Sequence, residues 1–441
     1  MTKFSKSQIN QNFDDLHKPL NRLQAITEAS RCTYCYEAPC ITACPTSIDI
    51  PTFIHQIRSE NIKGAAQTIL SENILGGTCA RACPTEILCE QACVRNHDQG
   101  KPVEIGLLQR FAVDTFLDAD QPHPFKRAEP SGKRVAAVGA GPAGLAFAHR
   151  AALLGHQVVI FEAEAKPGGL NEYGLAAYKM ANNFAQREVD FLMQVGGIEI
   201  QHSQRLGDNL SLAQLRQDFD GVFIGVGLAA NHQLGIPGEN LPGVEDATNF
   251  IATLRQTADK SSLPAGENLV VIGGGNTAID AAVQAKRLGS ANVTLVYRRG
   301  EEYMGATAWE IDLARKNGVV ILLWAKPIAI HGGDAAAAIV LEKTALLEGT
   351  LQGTGNTLTI PADKVLKAVG QKYALADEPS LDLAKGKIWV NERFETNLPG
   401  VFAGGDCVHL GEDLTVQAVE HGKRAAHAMG RYLFTISALE I

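Results

Sequence analysis

Short apolar runs, each followed by a glycine-rich turn, recur along the chain. Residues 135–138 and 269–272 are continuous apolar runs of the kind that forms buried parallel strands. A glycine cluster and a predicted helix follow each run, and a second predicted strand comes after each helix, at 158–161 and at 293–297. Because strands that alternate with helices predict parallel sheets, the pattern indicates two α/β domains.

The N-terminal residues follow a different pattern. Residues 51–78 have apolar side chains at helical spacing and predict a helical arm between two cysteine-rich segments. A polar segment with several prolines, residues 121–132, predicts a linker after an all-α domain at 1–120. Near the C-terminus, a predicted strand at 401–403 precedes a glycine pair, and a helix is predicted from about Thr415.

The composition is that of a folded protein of two or three domains. The 441 residues are 45% hydrophobic and 20% charged, which allows large buried cores. The net charge is −8 and no block of lysine and arginine is present, so nucleic acid is not an expected partner. No apolar run reaches the roughly 18–20 residues of a membrane span, and the N-terminus lacks the apolar core of a signal peptide. We therefore expect a soluble, cytoplasmic protein that does not bind a membrane.

Eight of the nine cysteines form two dense sets. The spacings are C-x-x-C-x4-C-x3-C-P for Cys32, Cys35, Cys40 and Cys44, and C-x3-C-P-x4-C-x3-C for Cys79, Cys83, Cys89 and Cys93. A disulfide framework fits poorly without an export signal, and zinc sites usually use two separated pairs of ligands. Runs that end in C-x3-C-P are typical of iron–sulfur proteins, in which the last cysteine often ligates the other cluster. The spacing favours two 4Fe–4S clusters, and zinc stays open as an alternative.

The first glycine cluster has the spacing of a dinucleotide-binding loop. Gly139, Gly141 and Gly144 form G-x-G-x-x-G between a predicted strand and a predicted helix. Such glycines let the backbone turn tightly and approach a pyrophosphate, which the helix N-terminus then binds. Glu162 ends the next predicted strand, 23 residues past the first glycine, where an acid accepts hydrogen bonds from ribose hydroxyls.

The second glycine cluster repeats this arrangement with one difference. Gly273, Gly275 and Ala278 form G-x-G-x-x-A, but the next predicted strand ends in Arg298 and Arg299 instead of an acid. Arginine at this position suits the 2′-phosphate of NADP, whereas an acid would bind the free 2′-hydroxyl of NAD. We therefore predict NADP at this loop. NAD stays open, because two solvated surface arginines would give the same pattern.

Residues 401–406, VFAGGD, resemble the second flavin fingerprint of the disulfide-reductase-like flavoproteins. In that family the aspartate, here Asp406, holds the ribityl chain of FAD, so the resemblance implies FAD at the first loop. Segments 221–228 and 367–371 look like the family's two crossing points between domains. Disulfide reductases carry a pair of cysteines beside the flavin, whereas this chain has the single Cys407, which we interpret as a packed, inert side chain.

The fold class implied is α/β with an N-terminal all-α iron–sulfur domain and two Rossmann-like dinucleotide-binding domains, the NAD(P) domain being inserted in the FAD domain. The predicted bounds are 1–120 for the helical double-cluster domain, 121–132 for the linker, 133–230 and 365–441 for the two parts of the FAD domain, and 231–364 for the NAD(P) domain.

A double cysteine set fused to such a flavoprotein resembles two related systems. One is the small subunit of NADPH-dependent glutamate synthase, and the other is the N-terminal half of dihydropyrimidine dehydrogenase, including its bacterial two-subunit form. Residues 168–180 are similar to a stretch beside the flavin in both, with Leu175 and Ala176 in place of Ile-Pro. The segments TCARACPTEILC, residues 78–89, and VEIGLLQRFAVD, residues 103–114, favour the pyrimidine branch.

The resemblance to the dehydrogenase also implies how the cluster ligands are divided, because a glutamine is a ligand in that family. The first cluster would be held by Cys32, Cys35, Cys40 and Cys93, and the second by Cys44, Cys83, Cys89 and Gln109. Cys79 would then be a spare thiol. Counting residues alone gives eight cysteines for the eight corners, so the choice between Gln109 and Cys79 stays open.

The candidate cofactor-binding residues lie in the two glycine loops, at the strand ends that follow them and beside the flavin fingerprint. They are Gly139, Gly141, Gly144, Glu162, Gly169, Asp406 and Gln417 for FAD, and Gly273, Gly275, Asn276, Arg298 and Arg299 for NADP or NAD. No catalytic acid, base or nucleophile is predicted, because hydride transfer is cofactor chemistry for which the protein supplies orientation and electrostatics.

The implied activity is that of an electron-input subunit. It would oxidise NAD(P)H and pass electrons through FAD and two 4Fe–4S clusters to a partner FMN subunit, which reduces uracil or thymine to the 5,6-dihydropyrimidine or catalyses the reverse. A glutamate synthase small subunit, or another NADPH:acceptor oxidoreductase, is the alternative. A non-catalytic iron–sulfur redox sensor or scaffold is a minor alternative, and the two intact nucleotide loops argue against it.

Overall fold

The computed structural model describes residues 4–119, 121–374 and 380–439, which form two compact units. The smaller unit consists of the N-terminal residues through Leu16, Tyr173–Ala181 and Ala230–Gln371. The larger unit consists of His17–Glu172, Asn182–Ala229 and the residues from Lys372 onward.

The N-terminal third of the chain is helical. Its helices are α1 (Lys6–Asn12), α2 (Arg22–Ala29), α3 (Pro39–Ala43), α4 (Ile50–Arg58), α5 (Ile62–Glu72), α6 (Gly76–Ala82), α7 (Arg95–Asp98) and α8 (Ile105–Asp118). Apolar side chains of α2, α4, α5 and α8 form one core, in which Phe53, Ile57 and Leu108 are fully buried. Because Cys93 and several half-buried cysteines pack against this core, the helices fix the positions of both cysteine sets.

The later helices alternate with strands or follow them, as the sequence pattern predicts. They are α9 (Pro142–Leu153), α10 (Leu170–Tyr173), α11 (Phe184–Met193), α12 (Leu212–Asp218), α13 (Ala247–Gln256), α14 (Asn276–Leu288), α15 (Ala308–Lys316) and α16 (Thr415–Leu439). Short 3-10 turns occupy Thr85–Ile87, Lys260–Ser262 and Glu301–Tyr303. In the described part of the chain, no helix has both the length and the apolar character needed to span a bilayer.

The larger unit contains a parallel sheet with the strand order β17-β4-β1-β2-β3. Its strands are β1 (Arg134–Val138), β2 (Gln157–Phe161), β3 (Ile198–Gln201), β4 (Gly221–Ile224) and β17 (Val401–Ala403). Helix α16 packs closely on α9, because a Cβ at Gly422 would lie only 2.1 Å from the carbonyl oxygen of Ala143. This contact joins the C-terminal helix to the helix that follows the first glycine loop.

The smaller unit contains a second parallel sheet, with the order β6-β13-β7-β8-β9. Its strands are β6 (Val244–Asp246), β7 (Asn268–Ile272), β8 (Asn292–Val296), β9 (Val320–Leu322) and β13 (Lys364–Lys367). An antiparallel three-stranded sheet, which the sequence analysis does not predict, consists of β10 (Ala325–Gly332), β11 (Ala336–Leu347) and β12 (Thr350–Pro361). The remaining strands are β5 (Ala230–Asn231), β14 (Gln371–Lys372), β15 (Leu383–Ala384) and β16 (Lys387–Ile388).

The predicted fold class is confirmed, since a helical N-terminal region precedes α/β domains with parallel sheets. The exact domain bounds remain predictions, and the ends of the predicted domains at 1, 120 and 441 lie outside the described residues. The compact units group some residues differently from those bounds. Residues through Leu16, the segment Tyr173–Ala181 and residues 365–371 belong to the smaller unit, together with the second parallel sheet.

A buried carboxyl group anchors helix α6 within the larger unit. No side chain at the start of α6 caps its free N–H groups, but the backbone N–H groups of Gly77 and Thr78 donate to Oε1 of Glu188 at 2.8 and 3.0 Å. Glu188 lies on α11 and is 1% exposed. Burial raises the pKa of Glu188 to about 7, although these hydrogen bonds oppose the shift.

The raised pKa predicts how stability depends on pH. Between about pH 4.5 and pH 7 the folded state binds a proton at Glu188 that the unfolded state releases, so the free energy of unfolding falls as the pH rises. Glu188→Gln keeps an oxygen acceptor without this titration. We expect it to be more stable than the wild type at pH 8, by on the order of 3 kcal/mol, and to lose this advantage toward pH 5.

The measurement is anaerobic urea unfolding of both proteins at a series of pH values, followed by circular dichroism. Glu188→Ala is the matched control, because it removes the acceptor and should destabilise the fold at every pH. Parallel pH profiles for the wild type and Glu188→Gln would contradict the prediction.

Candidate functional site

Four cysteines from both sets line one cavity in the helical region. They are Cys32, Cys35, Cys40 and Cys93. Tyr34 has a positive φ of 53° and turns the loop that carries the first two thiols, whereas Cys40 lies on α3. The walls are apolar, including Ile50, Ile54 and Val103. The structure therefore brings together the four residues that the sequence analysis assigns to the first cluster.

The remaining cysteines of the two sets line a second cavity. The potential ligands on its wall are Cys44, Cys79, Cys83, Cys89 and Gln109. Gln109 is 8% exposed on α8, and its Nε2 donates to the carbonyl oxygen of Gly76 at 2.7 Å. This bond leaves the side-chain oxygen of Gln109 as the atom available for coordination. Val416, at the start of α16, also lines this cavity.

Burial makes some of the cavity thiols resist ionisation. Burial raises the pKa of Cys40 to about 12, and the neighbouring thiols of Cys32 and Cys93 add to the shift. The pKa of Cys89 is also raised well above its usual range, mainly by burial. Such thiols lose their protons together only when bound cations offset the negative charge, as iron does in a cluster.

The cysteine donor set and its spacing are typical of an iron–sulfur centre. Among residues 4–119, 121–374 and 380–439, no three His, Cys, Asp or Glu side chains converge on the position of one metal ion. The cysteines instead stand around the walls of two cavities, an arrangement that suits a cluster with a ligand at each corner. The residues present therefore fit iron–sulfur clusters.

The first glycine loop has the shape that a pyrophosphate requires. A Cβ at Gly144 would lie 1.8 Å from the carbonyl oxygen of Gly139, so only glycine allows this tight turn. Around Gly141 the nearest obstacle to a Cβ is Cα of Gly169, at 3.8 Å, and Gly169 itself adopts a positive φ of 54°. No side chain caps the N-terminus of α9, which leaves its N–H groups for a phosphate.

Glu162 lies at the end of β2, as predicted, and contacts this loop. Its Oε2 accepts from the backbone N–H of Ala140 at 2.6 Å, and its Oε1 accepts from that of Glu164 at 2.8 Å. Burial raises the pKa of Glu162, while both backbone hydrogen bonds oppose the shift. The carboxyl group is thus fixed beside the loop, where it can accept from a ribose hydroxyl.

The flavin fingerprint lies between β17 and α16 in the same unit. Burial raises the pKa of Asp406 to about 6, with a smaller contribution from Asp413. The backbone N–H of Gly405 donates to Nδ1 of His421 at 3.2 Å, and Nε2 of His421 lies 3.0 Å from Nε2 of Gln417. Burial lowers the pKa of His421 to about 4, so the ring is neutral and orients this segment as an acceptor.

The isolated Cys407 has the environment of an inert side chain. It is fully buried, and its thiol donates to the carbonyl oxygen of Gly404 at 3.3 Å. Burial raises its pKa to about 12, which removes the thiolate needed for redox chemistry.

The second glycine loop, in the smaller unit, has a geometry similar to that of the first glycine loop. A Cβ at Gly273 would lie 2.3 Å from the carbonyl oxygen of Ala368, whereas one at Gly275 would meet no atom within 4 Å. Helix α14 begins at Asn276 without a side-chain cap, and Oδ1 of Asn276 accepts from the backbone N–H of Thr307 at 3.3 Å. The open space at Gly275 and the uncapped helix suit a second dinucleotide.

The two arginines follow β8 at the predicted position. Arg298 is exposed and Arg299 is half-buried, with its guanidinium 6.0 Å from the ring centre of Tyr303. The hydroxyl of Thr344 donates to the backbone carbonyl oxygen of Arg298 at 2.8 Å. The backbone N–H of Trp324 donates to that of Arg299 at 3.2 Å. The side chains are therefore available to a phosphate while their backbone is fixed.

One buried cluster in the smaller unit is absent from the sequence prediction. Lys179 forms ion pairs with Asp280 at 2.8 Å and with Glu310, and the hydroxyl of Tyr178 donates to Oδ1 of Asp280 at 3.1 Å. These contacts attach the segment Tyr173–Ala181 to α14 and α15. The sequence signal is only a Tyr-Lys pair, and its acidic partners lie over 100 residues away in the chain.

Two family models match the chain in the order of these sites. Residues 9–121 match the model described as dihydropyrimidine dehydrogenase domain II, 4Fe-4S cluster. Residues 133–422, more than half of the chain, match that of the pyridine nucleotide-disulphide oxidoreductases. The chain belongs to this family of flavoproteins. It is an NAD(P)H-dependent flavin iron–sulfur oxidoreductase.

Relatives of at least two kinds match along nearly the whole chain. The NAD-dependent dihydropyrimidine dehydrogenase subunit PreT of Escherichia coli O157:H7 is 37% identical over 428 residues, which cover 96% of this chain and 98% of the relative. The glutamate synthase [NADPH] small chain of Halomonas elongata is 32% identical over 443 residues, with 96% and 93% covered.

Solved structures show the same fold for the oxidoreductase part. Mycobacterium tuberculosis FprA in complex with NADPH matches with a TM-score of 0.59 at 20% identity, over 71% of this chain and 86% of that one. Lactococcus lactis thioredoxin reductase matches with a TM-score of 0.56 at 22% identity, over 69% of this chain and 99% of that one. The predicted membership of the glutamate synthase small subunit-like flavoproteins is confirmed.

The pKa of Asp406 predicts that FAD binding by this flavoprotein depends on pH. An ionised carboxylate is the stronger acceptor for a ribityl hydroxyl, so the affinity should fall as the pH drops below about 6. We expect the Kd for FAD to rise about tenfold between pH 7 and pH 5. Asp406→Asn should bind more weakly at pH 7 and show no such dependence.

The measurement is fluorescence quenching of FAD titrated with apoprotein. Asp413→Asn is the matched control: it removes the neighbouring charge that raises the pKa of Asp406, so the transition should move to lower pH. Equal pH profiles for the wild type and Asp406→Asn would refute a role for this carboxyl group.

Proposed function

We propose that the chain is the electron-input subunit of a two-subunit dihydropyrimidine dehydrogenase. It takes electrons from NAD(P)H and delivers them to a separate FMN-bearing subunit, which reduces uracil or thymine to the 5,6-dihydropyrimidine or catalyses the reverse. The observation that carries the proposal is the position of Gln109 beside Cys44, Cys83 and Cys89 in the second cavity. A glutamine completing a ligand set is the feature that the sequence analysis connects with the pyrimidine branch.

The chain provides a separate set of residues for each cofactor. The first glycine loop, Glu162 and Asp406 would hold FAD, the second glycine loop and the two arginines would hold NADP or NAD, and the cavities would hold two 4Fe–4S clusters. When bound, FAD supplies hydride acceptance and the clusters supply one-electron transfer. The protein's own contribution is to fix the loops, exclude water with apolar walls and offset charge.

The order of the sites within the larger unit supports an electron path from the flavin site through the second cavity to the first. Val416, on the helix that follows the flavin fingerprint, lines the second cavity, whereas the first cavity is lined only by residues 32–105 of the helical region. Tyr36, which follows Cys35 in the loop of the first cavity, is fully exposed. We infer that the partner subunit docks at this loop.

Substitution of Arg298 and Arg299 tests whether these residues select NADPH over NADH. A 2′-phosphate would form charge-assisted hydrogen bonds with the guanidinium groups, and such bonds contribute on the order of 2 kcal/mol each. In the double variant Arg298→Ala/Arg299→Ala, we expect kcat/KM for NADPH to fall about tenfold to a hundredfold and kcat/KM for NADH to change little.

Reduction of ferricyanide by the isolated chain measures both values without a partner. Arg315→Ala is the control, because Arg315 is an exposed arginine of the same unit that pairs with Glu301. An equal loss with both nucleotides would contradict NADP selection by the arginine pair.

The pyrimidine proposal itself is tested with two candidate partners. The chain is mixed anaerobically with NADPH or NADH, and an FMN-bearing pyrimidine-reducing subunit of the same organism is added. We expect nucleotide oxidation that depends on uracil, with accumulation of dihydrouracil. The relative of the second kind, the glutamate synthase [NADPH] small chain, supports the other candidate. Nucleotide oxidation that requires a glutamate synthase large subunit, glutamine and 2-oxoglutarate, with none dependent on uracil, would overturn the pyrimidine assignment.

A further inference from the structure

The second cavity holds one potential ligand more than a cubic cluster needs. A 4Fe–4S cluster takes four protein ligands, whereas Cys44, Cys79, Cys83, Cys89 and Gln109 all line this cavity. One of the five must therefore have another role. The proposed ligand set uses Cys44, Cys83 and Cys89, so the question concerns Cys79 and Gln109.

Cys79 lies on α6, one helical turn before Cys83, and is 2% exposed. The backbone N–H of Cys83 donates to the carbonyl oxygen of Cys79 at 2.9 Å, and both residues line the second cavity. Gln109 reaches the cavity from α8, and its Nε2 donates to the carbonyl oxygen of Gly76 at 2.7 Å. Cys79 is thus the neighbour of Cys83 one turn away along the chain, whereas Gln109 comes from another helix.

We propose that Cys79 is not a ligand but donates its S–H to the ligated sulfur of Cys83, and that this bond raises the reduction potential of the second cluster. The inference rests on the ligand set given under the proposed function. It assigns Cys79 as a positioning residue that acts through Cys83.

The physical reason is electrostatic. A reduced cluster carries one more negative charge than an oxidised one, so a donor to its sulfur stabilises the reduced form more and raises the potential. Hydrogen bonds to charged groups are worth most where water is excluded, and the buried position of Cys79 excludes water from this bond. Thr46 has a similar place at Cys44, with its buried Oγ1 at 3.3 Å from that sulfur.

Three substitutions at one position separate the possible roles. Cys79→Ser keeps a hydroxyl donor of nearly the same size, whereas Cys79→Ala and Cys79→Val remove the donor and leave small apolar side chains. The two apolar variants check each other if one folds poorly. Cys407→Ala is the matched control, because it removes another fully buried thiol, which lies outside both cavities.

The experiment is an anaerobic redox titration of the isolated chain followed by electron paramagnetic resonance, with iron and acid-labile sulfide determined on each sample. All three Cys79 variants and Cys407→Ala should keep about eight iron atoms per chain. At a fixed potential, the ratio of reduced to oxidised form should fall about threefold to tenfold for one cluster in Cys79→Ala and Cys79→Val. Cys79→Ser and Cys407→Ala should leave both clusters near the wild-type ratio.

Two results would overturn the inference. Loss of about four iron atoms in Cys79→Ala and Cys79→Ser, with full iron content in Gln109→Ala, would make Cys79 the ligand. Wild-type ratios for both clusters in the two apolar variants would exclude tuning by the thiol. Neither measurement uses a pyrimidine or a partner subunit. A failure of the pyrimidine proposal can therefore be distinguished from a failure of the proposal for Cys79.

Discussion

Thiols that are buried together cannot ionise unless positive charge accompanies them, and this constraint determines the helical half of the larger unit. Eight cysteines and Gln109 line two cavities, together with mostly apolar side chains. The helices around them gain stability from apolar packing, and ligation of the thiolates by a cluster would add to it. The region is therefore built around its cofactors, and its packing places ligands that are distant in sequence at one centre.

A second constraint is the space that a phosphate needs near the backbone. At Gly139 and Gly273 a Cβ would collide with the carbonyl oxygen of a neighbouring strand end, whereas Gly141 and Gly275 leave room on the side of the helix N-terminus. The same solution appears once in each compact unit. The loops differ in the residues at the end of the next strand: the first loop is followed by the buried carboxyl group of Glu162, and the second by two arginines after β8. Similar folds can therefore select different nucleotides.

Local chemistry made much of this predictable. The glycine spacing and the apolar runs predict β1, α9, β7 and α14, because turn and strand requirements act over a few residues. The three-stranded antiparallel sheet and the Lys179 cluster were not predicted, since strand pairing and ion pairs between distant residues leave no periodic signal. Which thiol faces which cavity also depends on tertiary packing. The resemblance to a family supplied that division and the choice of Gln109, whereas counting alone matched eight cysteines to eight corners.

Helix α16 links the two kinds of site in the larger unit. It begins after Asp406, its Val416 lines the second cavity, and its Lys423 donates to the carbonyl oxygen of Thr46 at 3.1 Å. Lys423 also forms an ion pair with Glu72 on α5 at 2.8 Å. Because one rigid element carries all these contacts, the flavin fingerprint and the second ligand set hold a fixed spacing. Fast electron transfer requires such a spacing, and a flexible linker between separate domains could not maintain it.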